Sequence, residues 1–378
     1  MQKYHEIFQK EHDNILQHQD IQGSDKAVYT TWKISYDQLD ESAKLFFHIC
    51  SILHHEGIPE ELFERFALAY NGEDKPLINS KLIQLLSYLK TDNSSWSSWT
   101  FQKIINKLSS YSLLESNCDS EGNTMYRIHP LVQNLGKMII GSDLQCIEQV
   151  GFTILAMSVF MDNNKDAHMY YQKIWPHTLE IKRRTNLTEY NINILENIRL
   201  VCNKMGHWKD VEELDLLILQ ENKEKQGEDH PDTITAMANL ASTYWNQGRW
   251  NEAESLQNIV LQSRQKILGT DHPDTITAMA DLASTYSDQG RWNEAESLQN
   301  TVLQSSQKIL GTDHPDTIRA MANLATTYSD QGRWNEAESL QNTVLHSSQK
   351  ILGTNHPDTI TAMGNLAIIH DELNHHHN

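Results

Sequence analysis

The chain is predicted to be mainly α-helical: a small domain of helices plus a β-hairpin, followed by a right-handed α-solenoid of 42-residue repeats. Three observations predict this. His-Pro-Asp-Thr recurs at His230, His272, His314 and His356, always 42 residues apart, with nearly identical residues between. Such a period marks stacked supersecondary units, none of which can bury its apolar face without a neighbour. Inside each unit the apolar residues follow a helical period broken once by glycine, whereas the first 187 residues show no repetition.

Bulk properties narrow the function classes. A length of 378 residues accommodates two or three structural units. The 31 basic and 50 acidic residues give a formal charge of −19, which opposes attraction to nucleic acid and to anionic lipid; neither is expected as a partner. Cys50, Cys118, Cys146 and Cys202 are far apart with no CxxC spacing, so neither a disulfide framework nor a zinc cage is indicated, and a reducing, cytoplasmic setting fits. The most apolar run, Val150 to Met161, is shorter than the ~20 residues a membrane span needs, and the N-terminal residues contain no apolar signal region.

The elements follow in order. Tyr4 to His18 reads as helical. Tyr29 to Ile52 reads as an approach segment and then an amphipathic helix burying Leu45, Phe46, Ile49 and Ile52. Pro59 to Tyr70 is a helix opened by proline and two glutamates, and further helices are expected over Leu77–Leu89 and Phe101–Ser109. Ser112–Glu115 and Thr124–Ile128 flank Cys-Asp-Ser-Glu-Gly-Asn, a hairpin signature. Pro130 opens a helix through Met138, and Cys146–Phe160 with Ala167–Arg184 form an irregular helical pair. Asp162 to Asp166 has the outline of a calcium loop but lacks its glycine and terminal glutamate, so no metal is expected there.

In the repeat, Ile234, Met237, Ala238, Ala241 and Tyr244 lie on one helical face, Gly248 interrupts, and Ala253, Leu256, Val260 and Ile267 resume. Each unit is therefore a helical hairpin. Asn251 is expected to cap the second helix, with Glu254 returning a bond to the cap, and Asn293/Glu296 and Asn335/Glu338 repeat the pair. Asp271 is expected to cap the next first helix, Pro273 to open it and Asp274 to favour its dipole; Asn355 keeps a capping residue in the last copy. Gly206, Trp208 and Glu212 lie 42 residues before Gly248, Trp250 and Glu254, which marks an eroded earlier copy. Trp250, Trp292 and Trp334 read as packing residues of the turn, and His272 and His314 as structural punctuation. Asn374-His375-His376 stands where earlier copies have Gly-Arg-Trp, and the run of histidines reads as a solvated tail. The expected boundaries are a helical remnant at 1–27, a helix-plus-hairpin domain at 28–140, a linker at 141–187 and repeats at 188–378. The repeats divide into 188–229 (degenerate), 230–271, 272–313, 314–355 and 356–378 (partial).

Asn239-Leu240-Ala241, Tyr244, Gly248, Trp250 and Ala253 resemble a tetratricopeptide repeat, and the 42-residue length with Gln-Gly-Arg-Trp-Asn-Glu-Ala-Glu resembles the kinesin-light-chain type. Ile34-Ser35-Tyr36-Asp37-Gln38-Leu39, the Phe46–Ile52 run, Leu113-Leu114-Glu115 and Arg127-Ile128-His129-Pro130-Leu131-Val132 resemble the winged-helix subdomain that closes the NB-ARC module of NOD-like receptors, particularly fungal ones with tetratricopeptide tails. Tyr4 to His18 is similar to the end of the preceding subdomain. The resemblance implies that His129 senses a nucleotide phosphate in a full-length parent, although the family's Met-His-Asp is Ile128-His129-Pro130 here. No G-x-x-x-x-G-K-[ST] occurs, so no cofactor is expected in this chain; ADP or ATP would require an upstream nucleotide-binding domain. DNA binding by a winged helix is not expected, since Phe101–Ser109 offers only Lys103 and Lys107. No Ser/His/Asp signature or HExxH is present. The implied function is non-enzymatic: a ligand-sensing segment of a cytoplasmic innate-immunity receptor, binding a peptide or protein, with oligomerisation only in the full-length context. The alternative is a free-standing kinesin-light-chain-like adaptor.

The copies starting at His230, His272 and His314 differ between neighbours at five positions, so their differences can be mapped. First-helix changes fall at Thr235/Thr277/Arg319, Asn239/Asp281/Asn323, Ser242/Ser284/Thr326, Trp245/Ser287/Ser329 and Asn246/Asp288/Asp330. Offsets of 0, 4, 7, 10 and 11 make one stripe, opposite the invariant apolar face. The tetratricopeptide resemblance places first helices along a concave groove, so the stripe is the expected peptide site; variation after duplication on any exposed surface would produce the same pattern. Asn239, Asn323 and Asn365 are expected to bond the backbone of an extended peptide and Trp245 to anchor an apolar side chain. Asp281 breaks the asparagine row and would favour a basic residue.

Overall fold

The computed structural model describes residues 23–70, 80–90, 95–159 and 165–376; Tyr4–His18, the first residues of the expected 77–89 helix and most of the Asp162–Asp166 loop lie outside them. The chain is mostly helical and divides into two compact units between Asp210 and Val211. Among the described residues no helix is long and apolar enough to cross a membrane.

The first unit begins with α1 (Gly23–Asp37) and α2 (Glu41–Ile52). The segment before Leu39 is thus itself a helix. Val28, Thr30, Thr31 and Ile34 are poor helix formers; what holds them helical is tertiary packing, because Tyr29 is buried with Leu135, and Trp32, Leu131 and Met138 close around that pair. Asp40 caps α2, accepting from the Ala43 N–H at 2.9 Å, and α2 buries Ala43, Leu45, Phe46, Phe47, Ile49, Cys50 and Ile52. Then follow β1 (Ile58–Pro59), α3 (Glu60–Ala69), α4 (Ser80–Leu89), α5 (Ser98–Ser110), β2 (Glu115–Cys118) and β3 (Thr124–Arg127). The three strands form one antiparallel sheet in the order β1-β3-β2. β1 has only two residues, too few for a periodic signal, and went unforeseen. The first hairpin strand starts at Glu115 rather than Ser112, because Leu113 and Leu114 turn into the core.

Phe46, Phe63 and Phe101 pack as the aromatic centre, with ring centroids 4.6 and 5.4 Å from Phe46. The unit continues through α6 (Pro130–Ile140), α7 (Leu144–Met157), α8 (Lys165–Lys182) and α9 (Ile192–Lys204). Gly136 lets α6 lie against α2: a Cβ there would sit 2.0 Å from the Ser51 hydroxyl. The hairpin turn is tied down by Asp119, which accepts from the Glu121 and Asn123 N–H groups at 2.9 and 2.8 Å and meets Lys173 of α8 at 2.9 Å.

α10 (Trp208–Gln226) leads into the second unit, a run of helical hairpins: α11 (Pro231–Asn246) with α12 (Trp250–Leu268), α13 (Pro273–Asp288) with α14 (Trp292–Leu310), α15 (Pro315–Asp330) with α16 (Trp334–Leu352), and finally α17 (Pro357–His376). Much of the expected apolar face is buried, and Ile267 at its end is not. Ile234, Met237 and Ala241 are at most 4 % exposed, and Ala253 and Val260 join them. Each hairpin turns at a glycine with positive φ, +73° at Gly248 and +74° at Gly290 and Gly332, a conformation that penalises a Cβ. Gly206 has a similar φ of +72°.

Candidate functional site

The repeated motif is a loop lock. In His-Pro-Asp-Thr the histidine is the N-cap: His230, His272, His314 and His356 each accept at Nδ1 from the N–H two residues on, at 3.2 Å. Proline occupies the first helical position, where no N–H is needed. Thr233, Thr275 and Thr317 donate to the carbonyls of Gly227, Gly269 and Gly311 at 2.7–2.8 Å. Asp271 therefore does not cap; it meets Lys308 at 2.7 Å, as Asp313 meets Lys350. His129 adopts the same geometry, capping α6 through the Leu131 N–H at 3.2 Å, its exposed ring tilted against Trp32.

A second correction concerns the expected capping box. Second helices start at Trp250, Trp292 and Trp334, with the preceding arginine at the N-cap and no side-chain cap bond. Asn251 is then already inside the helix, and Glu254 points to the next repeat. It accepts from Arg291 Nη1 at 2.8 Å and from Gln289 Nε2 at 2.9 Å. Glu212 receives Arg249 and Gln247, and Glu296 receives Arg333 and Gln331, in the same way. Each arginine lies over its own repeat's tyrosine, 4.1–4.2 Å from the ring centroid of Tyr244, Tyr286 or Tyr328. In the bond to the guanidinium both partners are ionised, whereas in the cap bond it replaces only the carboxylate is. The hydrogen bond from Arg333 holds the Glu296 carboxyl below its ordinary range; at Glu254 burial acts upward but the bonds from Arg291 and Gln289 prevail. In α17 the tyrosine position is His370, and its Nε2 lies 2.9 Å from Glu338.

These locks space the first helices regularly and leave the variable stripe open. Thr235, Ser242, Trp245 and Asn246 on α11 are exposed and Asn239 is half-buried; Asp281, Asp288, Arg319, Asn323 and Asp330 are exposed and Asn365 is half-buried. The structure gathers part of the set. A cleft of about 330 Å³ between α13, α14 and α15 brings Asp281, Arg319 and Asn323 together over an apolar wall including Ile276, Val302, Ile309 and Leu310. A second cleft, about 270 Å³, has Arg319 and Asn365 on its rim and Val344, Ile351 and Leu352 on its wall. Thr235, Asn239 and Ser242 hold the equivalent places on α11. Trp245 and Asp288 form a pair of their own: the indole N–H donates to Asp288 Oδ2 at 2.6 Å. Asn246 is turned back on the Ser242 carbonyl at 2.8 Å.

The cleft walls contain residues the sequence reading did not place there. Ile267 continues the apolar period of the sequence, yet Ile267, Ile309 and Ile351 are 45, 42 and 39 % exposed. They lie in the last turn of the second helices, and their sequence signal is an Ile-Leu pair immediately before the loop glycine. Trp250 and Trp292, expected to pack, are each 39 % exposed. Asp281 is exposed, and the partial burial of its surroundings raises its pKa against the pull of Arg264 and Arg319. Asp330 is raised by burial and then by the nearby Asp288.

Residues 232–308, 282–346 and 330–378 match the tetratricopeptide repeat family. Two solved structures align with part of this chain at low identity. One, from Podosopora anserina, is described as a putative kinesin light chain with nearly identical TPR-like repeats and is 24 % identical over 48 % of this chain and 85 % of its own, with a TM-score of 0.44. The other is BtubC of P. vanneervenii, 16 % identical over 55 % of this chain and 81 % of its own, with a TM-score of 0.44. No curated protein matches the sequence.

Proposed function

We propose that the chain is a non-enzymatic protein–protein interaction segment that binds an extended peptide along the first-helix face of its tetratricopeptide repeats. The single observation that carries this is the coincidence of the variable stripe with the clefts: residues that differ between otherwise near-identical copies, Asp281, Arg319 and Asn323, line one cavity with an apolar floor. Apolar pockets with a few placed polar groups are the usual form of a binding site. Asn323 and Asn365 supply amides able to give and take backbone hydrogen bonds. The test is binding of random octapeptides selected on the full chain. The double variant Asn323→Ala/Asn365→Ala is expected to weaken the selected peptides at least ~10-fold, the effect of about 1.4 kcal/mol; unchanged affinity would sink the groove assignment.

The finer reading is that this segment belongs to a NOD-like receptor, with 28–140 as its winged-helix subdomain, 141–187 as linker and 188–378 as the sensing array. Support comes from the order α2-β1-α3-α4-α5-β2-β3, helices closed by a hairpin whose inner strand also pairs β1, and from His129 at the start of α6. In that reading the imidazole would face a nucleotide bound by an upstream domain. A free-standing adaptor using the repeats alone is equally compatible with the groove. A Walker loop encoded upstream in the parent gene separates the two.

A further inference from the structure

We propose that the cleft between the second and third copies receives a basic side chain, lysine or arginine, of the bound peptide, with Asp281 as its counter-ion. The inference rests on the reading of the first-helix face as a peptide groove and adds its chemistry. Four observations carry it. In the row Asn239, Asp281, Asn323, Asn365 only the second position bears a charge. Among the described residues the Asp281 carboxylate accepts no hydrogen bond. The cations nearest to it are engaged elsewhere: Arg319 lies 2.8 Å from Asp316, and Arg264 Nη1 donates to the Asp274 carbonyl at 2.9 Å. Finally, the walls beside Asp281 are Ile276, Val302, Ile309 and Leu310, which suit the methylene stem of a long basic side chain whose head reaches the carboxylate.

Charge over the rest of the stripe points the same way. Asp288 and Asp330 lie on the same faces of α13 and α15, and their mutual repulsion contributes to the raised pKa of Asp330. Crowding by the cleft walls likewise keeps Asp281 above the ordinary carboxylate value. A carboxylate with no protein donor, set beside an apolar wall, is a favourable partner for an arriving cation. An acidic ligand group at this cleft would meet Asp281 directly, and Arg319 would have to leave Asp316 to bind it.

The experiment uses the full chain and a positional-scanning library of N-acetylated octapeptides, with norleucine as the uncharged counterpart of lysine. Wild type, Asp281→Asn and Asn323→Ala are compared. Asparagine already occupies this place in the other copies, so Asp281→Asn keeps the fold. Wild type is expected to enrich lysine or arginine over norleucine at one position by at least about fivefold, the scale of one partly desolvated charge pair. Asp281→Asn should lose that enrichment and keep selection elsewhere in the peptide. Asn323→Ala should weaken all peptides without changing which residue is selected. No basic preference, an acidic preference, or a preference that survives Asp281→Asn overturns the inference and leaves the groove reading standing. A wild type that retains no peptide overturns both.

Discussion

At the scale of single residues, the repeat is governed by which polar side chain takes which partner. His272 caps α13 although Asp271 is the better capping type. The reason is positional: Pro273 must occupy the first helical residue, which leaves His272 as the N-cap. That rule was available in the sequence, and applying it to His-Pro would have found all four caps together with His129. His272→Ala is expected to cost about 1 kcal/mol, the usual worth of an N-cap, and His272→Asn to restore most of it; chemical denaturation reads both, and an alanine variant as stable as wild type would refute the cap. Glu254 illustrates the opposite case. Its sequence position satisfied a local motif, and only a partner 37 residues away, Arg291, decided its role.

Between elements, the copies provide internal controls. Ile318 on α15 is 7 % exposed, packed with Met321, Val344 and Ala362, whereas the equivalent Ile360 on α17 is 57 % exposed. The sequence of the two helices is nearly the same over this stretch; the second helix that covers α15 has no counterpart among the described residues around α17. Ile318→Ala should therefore cost roughly 2–4 kcal/mol, as a core truncation does, and Ile360→Ala less than about 1 kcal/mol. Equal losses in urea denaturation would show that burial does not follow the hairpin packing. The same comparison explains α1: its residues gave no clear helical signal, and burial of Tyr29 beside Leu135 on α6, 106 positions along the chain, supplied what propensity lacked.

For the whole molecule, the two units are expected to respond to acid in different windows. His177 is fully buried, accepting from the His54 N–H and donating to the Gly57 carbonyl at 3.1 and 3.0 Å, and burial lowers its pKa from 6.5 to about 4. The unfolded chain takes up that proton first, so this contribution is whole above pH 6.5 and declines as pH falls toward 4, by up to about 3 kcal/mol. His48, lowered by burial to about 4, acts in the same direction. In the second unit the lowered carboxyls Glu254 and Glu296 contribute above their ordinary value of 4.5, and that contribution is lost only as pH falls through it. Segment-resolved hydrogen exchange should show residues 41–182 loosening between pH 6.5 and 4 while 231–352 stay protected; simultaneous loosening would contradict this. The sequence by itself determined the period, the hairpin of each repeat, its turns and the buried stripe, because glycine, proline and apolar spacing act within one or two turns of helix. Tertiary structure alone decided that Glu254 reaches Arg291, that Trp245 reaches Asp288 and that β1 joins the hairpin. It also left the Asp281 carboxylate without a donor among the described residues. Those outcomes depend on competition among polar partners that lie far apart along the chain, and only folding brings the competitors within bonding distance.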